Sequence, residues 1–145
     1  MPFARKNKDT KVRLLGGVSL FSACSRGELG RIASLVDEVV VPTGKVLVRE
    51  GDPGWEFFLV VEGRAKATKR GRKIASFDPG SFFGEMSLLD EGPRSATVTA
   101  ETDMQLLVLD SRSFSALIAD NPAVSRKLLR GMAERLRSSE AVPTH

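Results

Sequence analysis

From Asp37 to Asp110 the sequence is a succession of short apolar runs, each cut off by a turn signal before it reaches helical length. EVVVP, KVLVRE, EFFLVVEG, RAKATK, RKIASF, ATVTAE and MQLLVLD are rich in Val, Ile, Phe and Thr, and P-T-G, G-D-P-G, E-G and D-P-G stand between them. β-Branched and aromatic residues fit a pleated, half-buried surface, and many short strands with regular turn signals predict a sandwich or barrel. Gly44, Gly51, Gly63 and Gly80 fall at the turns, where tight geometry and positive dihedrals favour glycine.

Helical patterns flank the strands. A brief turn is expected from Lys11, stopped by Gly16-Gly17, with Leu20 and Phe21 as anchors after it. Ser25 and Glu28 have the spacing of a capping box, which predicts a helix from Arg26 to Val36 burying Leu29, Ile32, Ala33 and Val36. Beyond the strands, Asp110 or Ser111 caps SFSALIAD, Asn121-Pro122 ends it, and Pro122 opens the next helix. From Ala123 to Glu140, Val124, Leu128, Met132 and Leu136 recur every four residues, with Leu129 and Ala133 beside them. That is the stripe of an amphipathic helix.

The expected organisation is a flexible basic tail over 1–10 and one domain over 11–145, helical over 11–36, β over 37–110 and helical again over 111–140. A chain of 145 residues is long enough for one real core. No apolar run is long enough to span a bilayer as a helix, and MPFARKNKDTK has no apolar segment behind its basic residues. The single cysteine, Cys24, has no intramolecular disulfide partner and suits a reducing cytoplasm. The net charge of +4 permits attraction to anions, but basic groups at Arg5–Arg13 and Arg126–Arg137 read first as solvated faces.

One stretch carries chemistry. Gly80 to Thr97 reads GSFFGEMSLLDEGPRSAT. Gly84 lets the backbone come close to a ligand, and a helical turn over 85–89 would offer unpaired amides to an anion. Arg94 adds a permanently charged fork for phosphate oxygens and Ser95 a hydroxyl. Glu85 would repel a phosphate, so it suits accepting hydrogen bonds from sugar hydroxyls. The plainer alternative is a buried strand and turn, with Arg94 in a surface ion pair.

F-G-E-M-S-L-L followed by P-R-S-A resembles the phosphate-binding cassette of the cyclic nucleotide-binding domains, the sensor modules of catabolite activator proteins and kinase regulatory subunits. The turn glycines extend this resemblance over about residues 15 to 140. It implies a mainly β fold with flanking helices: an antiparallel β-roll of the double-stranded β-helix or jelly-roll type, with N-terminal and C-terminal helices. It implies a cyclic nucleotide ligand, cAMP in the first place and cGMP as the alternative, since Ser95 follows the arginine as in bacterial cAMP sensors. Gly84, Glu85, Met86, Ser87, Arg94, Ser95 and Ala96 would hold it. Ile74 and Phe77, taken as sharing one face of a strand, would line the base pocket, and Arg135 and Ser139 of the last helix would cap it. In the family that helix often pairs with a second copy, here through Leu129, Met132 and Leu136. Packing on the chain's own barrel explains the same residues.

Other function classes fit less well. The only histidine, His145, leaves a barrel metal site without its usual ligands, and neither a cysteine–histidine pair nor G-x-S-x-G is present. No enzyme, metal or cofactor is therefore expected. The sequence stops at Ala141-Val-Pro-Thr-His145 with no helix-turn-helix, so specific DNA reading is not expected either. A scaffold that has lost its ligand would need neither Glu85 nor Arg94. The expectation is a stand-alone, cytoplasmic, bacterial receptor that signals to an unknown effector.

Overall fold

A computed structural model describes residues 3–90 and 92–139. Among these residues eight strands form: β1 (Asp37–Val41), β2 (Val46–Val48), β3 (Glu56–Glu62), β4 (Ala65–Lys69), β5 (Arg72–Phe77), β6 (Phe82–Phe83), β7 (Thr97–Ala100) and β8 (Met104–Asp110). They pair antiparallel in two four-stranded sheets, in the orders β1-β8-β3-β6 and β2-β7-β4-β5. This is the expected β-roll. Phe58, Val60, Ala65, Ala67, Val98, Met104, Leu106 and Val108 alternate along their strands into one apolar core.

The unbroken apolar runs mark the strands buried on both faces. In β8 the core residues Met104, Leu106 and Val108 alternate with Gln105, Leu107 and Leu109, which are buried too. Gln105 is satisfied on one side of its amide: Nε2 donates to the Ala4 carbonyl at 2.9 Å and to Glu38 Oε2 at 3.0 Å. That bond fastens Ala4 inside the stretch expected to be a free tail.

The strand before the cassette corrects a second expectation. Ile74 and Phe77 are three residues apart, and a regular strand sends such residues to opposite faces. The β4–β5 ladder pairs Ala67 with Ala75 and Thr68 with Lys73, leaving Ile74 as the extra residue of a bulge. Phe77 packs on the core, whereas Ile74 is 56% exposed.

The residues group into two compact units: the β-roll, Val36–Arg112 with the residues before Lys6, and a helical unit of Lys6–Leu35 with the residues from Ser113 onward. The helices are α1 (Lys8–Gly16), α2 (Arg26–Ala33), α3 (Ser111–Asp120) and α4 (Pro122–Ser139). α1 begins three residues before Lys11 because the Asn7 side chain caps it, accepting from the Thr10 amide at 2.9 Å. The Ser25–Glu28 capping box forms with both of its hydrogen bonds. α2 stops at Ala33, short of Val36, as the chain turns toward β1.

α4 is fixed to the N-terminal helices at three heights. Lys127 Nζ meets Glu28 Oε1 at 2.6 Å, and the Ser22 hydroxyl donates to Glu134 Oε2 at 3.2 Å. Between them Gly131 lies against the carbonyls of Ser19 and Leu20, so close that a Cβ would come within 2.6 Å of both oxygens. The apolar stripe divides accordingly: Val124 and Leu128 are buried, while Leu129 and Leu136 are 72% and 66% exposed.

Candidate functional site

The cassette begins where two phenylalanines lock it to β3. β6 pairs Phe82 with Leu59 and Phe83 with Phe58, and the Phe83 ring stacks on Phe58 at 4.8 Å between centroids. Phe77 closes on Phe83 from the other side at 4.9 Å. The next residue therefore has little freedom. Gly84 takes φ +82°, a left-handed conformation that side chains resist, and starts a 3-10 turn over Glu85–Leu88.

The helical turn expected over 85–89 is a 3-10 turn, with bonds to the third residue back. The Ser87 amide donates to the Gly84 carbonyl at 3.0 Å, so it is not an outward-pointing donor. Glu85 is only 5% exposed, Ser87 and Leu88 are buried, and Met86 stands at the surface.

The opposite wall is the G-D-P-G turn. The Arg94 amide donates to the Asp52 carbonyl at 2.8 Å, the Gly51 amide donates to the Arg94 carbonyl at 2.8 Å, and Pro53 and Pro93 form an antiparallel bridge. Gly54 donates in turn to the Gly92 carbonyl at 2.9 Å. Three backbone hydrogen bonds thus hold the segment, two at Arg94 itself and one at Gly92. Its side chain runs back over Gly54, where any Cβ would collide with it, and reaches β3. There Nη2 donates to the Glu56 carbonyl at 2.8 Å, with the guanidinium 6.0 Å from the centre of the Phe58 ring.

Gly84 and Arg94 meet at this point. A Cβ on Gly84 would lie 2.6 Å from the Glu56 carbonyl oxygen and 2.7 Å from Arg94 Nη1. The cassette's glycine is therefore required by dihedral angle and by the arginine beside it. Burial draws the Arg94 pKa below the usual guanidinium value, and the Glu56 carboxylate opposes the shift. Among the described residues the guanidinium has a carbonyl partner at hydrogen-bond range, not a carboxylate. A half-buried cation held by neutral groups is suited to an anion.

Beside Arg94 opens a cleft of about 300 Å³, bordered by Val46, Val48, Asp52, Pro53, Trp55 and Glu56. Trp55 is half exposed and lines this cleft. Ser95 is exposed next to Arg94, and Ala96 packs against the barrel core. The side chains of Arg135 and Ser139 lie outside the described residues. Sequence reasoning missed Gly54, Glu56 and Phe58, which receive the arginine. Only G-D-P-G pointed to any of them, and it read as a turn.

Among the described residues no group of three or more His, Cys, Asp or Glu could hold a metal ion. No described helix is long and apolar enough to cross a membrane. Residues 38–121 match the family model described as "Cyclic nucleotide-binding domain". The chain is 35% identical over 112 residues to a cAMP-dependent protein kinase regulatory subunit of Aspergillus niger, covering 76% of this chain and 27% of that protein. It is 36% identical over 129 residues to the cyclic AMP receptor protein of Thermus thermophilus, covering 86% of this chain and 60% of that protein. It thus spans between about a quarter and three fifths of these relatives. Among solved structures, the N-terminal domain of a transcriptional regulator from Streptomyces coelicolor A3(2) superposes with a TM-score of 0.81 at 33% identity, covering 91% of this chain and 98% of that one.

Proposed function

This chain belongs to the cyclic nucleotide-binding domain family, and from that membership we propose that it is a receptor that binds cAMP without transforming it. The observation that carries the reading is the convergence of Gly84, Arg94 and buried Glu85 at one corner of the β-roll. The cyclic phosphate meets the Arg94 fork and the Ser95 hydroxyl, with Gly84 allowing the close approach. Because Ser87 spends its amide inside the turn, the amides offered to the phosphate are those at the start of the cassette, at Glu85 and Met86. Glu85 accepts from the ribose 2′-hydroxyl, and the apolar wall around Phe77 takes the base.

The names of the relatives, regulatory subunits and receptors, support a sensing role over a catalytic one. They also favour cAMP over cGMP, in line with Ser95 after the arginine. Binding would act by favouring one of two arrangements of the helices, which requires different affinity for the two. Exposed Leu129 and Leu136 on α4 support an output through a second copy or an effector protein. The proposed setting is the cytoplasm, with no sequence-specific DNA contact by these residues. Isothermal titration tests the core of the proposal: one cAMP per chain, with cGMP competing more weakly. Absence of heat and of displacement with both nucleotides would remove the receptor assignment.

A further inference from the structure

The β4–β5 hairpin is strongly basic. Residues 63–77 contain Arg64, Lys66, Lys69, Arg70, Arg72 and Lys73 and no acidic residue. The whole chain has 22 basic and 18 acidic residues; without these six it has 16 against 18, a net charge of −2. The hairpin therefore supplies more than all of the positive excess. Two of the six are engaged, Arg64 with Asp78 at 2.9 Å and Lys73 with Glu101 at 3.7 Å. Lys66, Lys69, Arg70 and Arg72 have no ion pair among the described residues.

Arg70 and Gly71 take φ +51° and +79°, the two positive angles of a two-residue I′ turn, and Glu50 Oε1 accepts from the Arg70 amide at 3.0 Å. Beside this basic tip stands Ile74, the bulge residue, an exposed aliphatic side chain next to Lys73. Exposed cations and an exposed aliphatic side chain on one hairpin match the chemistry of an interface between anionic headgroups and acyl chains.

We propose that the β4–β5 hairpin is a docking surface for an anionic lipid bilayer, with Lys66, Lys69, Arg70 and Arg72 facing the headgroups and Ile74 entering the interface. This goes beyond the receptor assignment and does not rest on it. Nucleic acid fits less well, since residues 63–76 offer no aromatic side chain for stacking and phosphates give Ile74 nothing. An acidic protein strand fits less well because the bulge breaks the register of β5, an edge strand already guarded by Arg72 and Lys73.

Co-sedimentation of the full chain with vesicles tests this. Binding to phosphatidylglycerol–phosphatidylcholine vesicles is expected at low salt, with none to phosphatidylcholine alone and a steep loss toward 1 M salt, where screening shortens to about 3 Å. Each basic residue near such a surface contributes about fivefold, so Lys69→Glu with Arg72→Glu is expected to weaken binding by about 25-fold or more. Both positions are exposed, and an unchanged melting midpoint checks that the variant folds. Ile74→Ser is expected to weaken vesicle binding at constant charge. The proposal fails if anionic vesicles do not bind at low salt, if the double reversal binds as well as the parent, or if Ile74→Ser has no effect. It also fails if duplex DNA binds more tightly than the vesicles.

Discussion

Arg94 donates to the Glu56 carbonyl at 2.8 Å from a position that any side chain at residue 84 would have to share. Two features that looked independent in the sequence, a glycine for close approach and an arginine for charge, thus occupy one steric unit with β3 as its third member. The arginine is held by a neutral acceptor and by the face of Phe58, so its charge is positioned without being neutralised.

Removing that charge should cost ligand affinity more than stability. If Arg94 holds the phosphate as proposed, Arg94→Ala deletes a charge-assisted contact worth about 1.5 to 3 kcal/mol, or about 10- to 150-fold in the Kd for cAMP. Arg94→Lys keeps the charge but loses the fork, and should fall between parent and alanine variant. Isothermal titration of the three proteins reads this directly, and equal affinities would displace Arg94 from the phosphate.

Gly84→Ala should destabilise the fold itself. The left-handed angle costs an L-residue about 1 to 2 kcal/mol, and the new Cβ meets the Glu56 carbonyl oxygen at 2.6 Å, a backbone atom of a buried strand that cannot move aside cheaply. Gly71→Ala provides the control, since its φ is +79° but a Cβ there meets nothing within 4 Å. The expected order in urea unfolding is parent, then Gly71→Ala, then Gly84→Ala. A Gly84 variant no weaker than the Gly71 variant would show that the close approach is relaxed in solution.

Gly131→Ala should loosen α4. Its Cβ would sit 2.6 Å from the Ser19 and Leu20 carbonyls. Overpacking of this kind costs about 1 to 3 kcal/mol, visible as a lower Tm. A Tm at or above that of the parent would mean that the helix withdraws freely.

The Glu28–Lys127 pair predicts a pH dependence. The hydrogen bond from Lys127, followed by that from the Ser25 backbone, holds the Glu28 carboxyl below its ordinary value. A depressed folded pKa stabilises fully above the unfolded value near 4.5 and is lost as the pH falls through the folded pKa. Glu28→Gln should therefore melt below the parent at pH 7, and the gap should narrow as the pH falls below 4.5. A gap that stays constant with pH would remove the charge of Glu28 as its cause, since a glutamine there can still accept from the Ser25 amide.

How far the sequence reached depends on the range of the interactions. The Ser25 capping box and the breaks at Gly16 and Asn121-Pro122 are contacts between near neighbours, so spacing alone located them. Strand existence was legible because the apolar runs are short and punctuated. The receiving side of Arg94 was not, because Gly54, Glu56 and Phe58 lie about 40 residues earlier and meet it only through sheet pairing. The error at Ile74 lay in parity, since residues three apart take opposite faces of a regular strand; only the bulge there needed the partner strand to be seen. The tail reading failed at Ala4 because the bond that holds it comes from Gln105, a polar residue inside an apolar run.

Glu85 offers the sharpest test of how the ligand sits. Its carboxylate is almost fully buried at the start of the cassette, and a buried carboxylate requires hydrogen-bond donors to offset its desolvation. On the proposed reading the ribose 2′-hydroxyl of cAMP, its one free sugar hydroxyl, adds a donor to Glu85; 2′-deoxy-cAMP has none to add. Glu85→Ala should therefore weaken cAMP markedly and 2′-deoxy-cAMP much less, with the difference in ΔΔG reporting the carboxylate–hydroxyl coupling. Glu85→Gln keeps the volume and one acceptor oxygen but removes the charge, and should fall between parent and alanine for cAMP. Equal losses for both nucleotides would give Glu85 a structural task in shaping the 3-10 turn, and would leave the sugar to other groups.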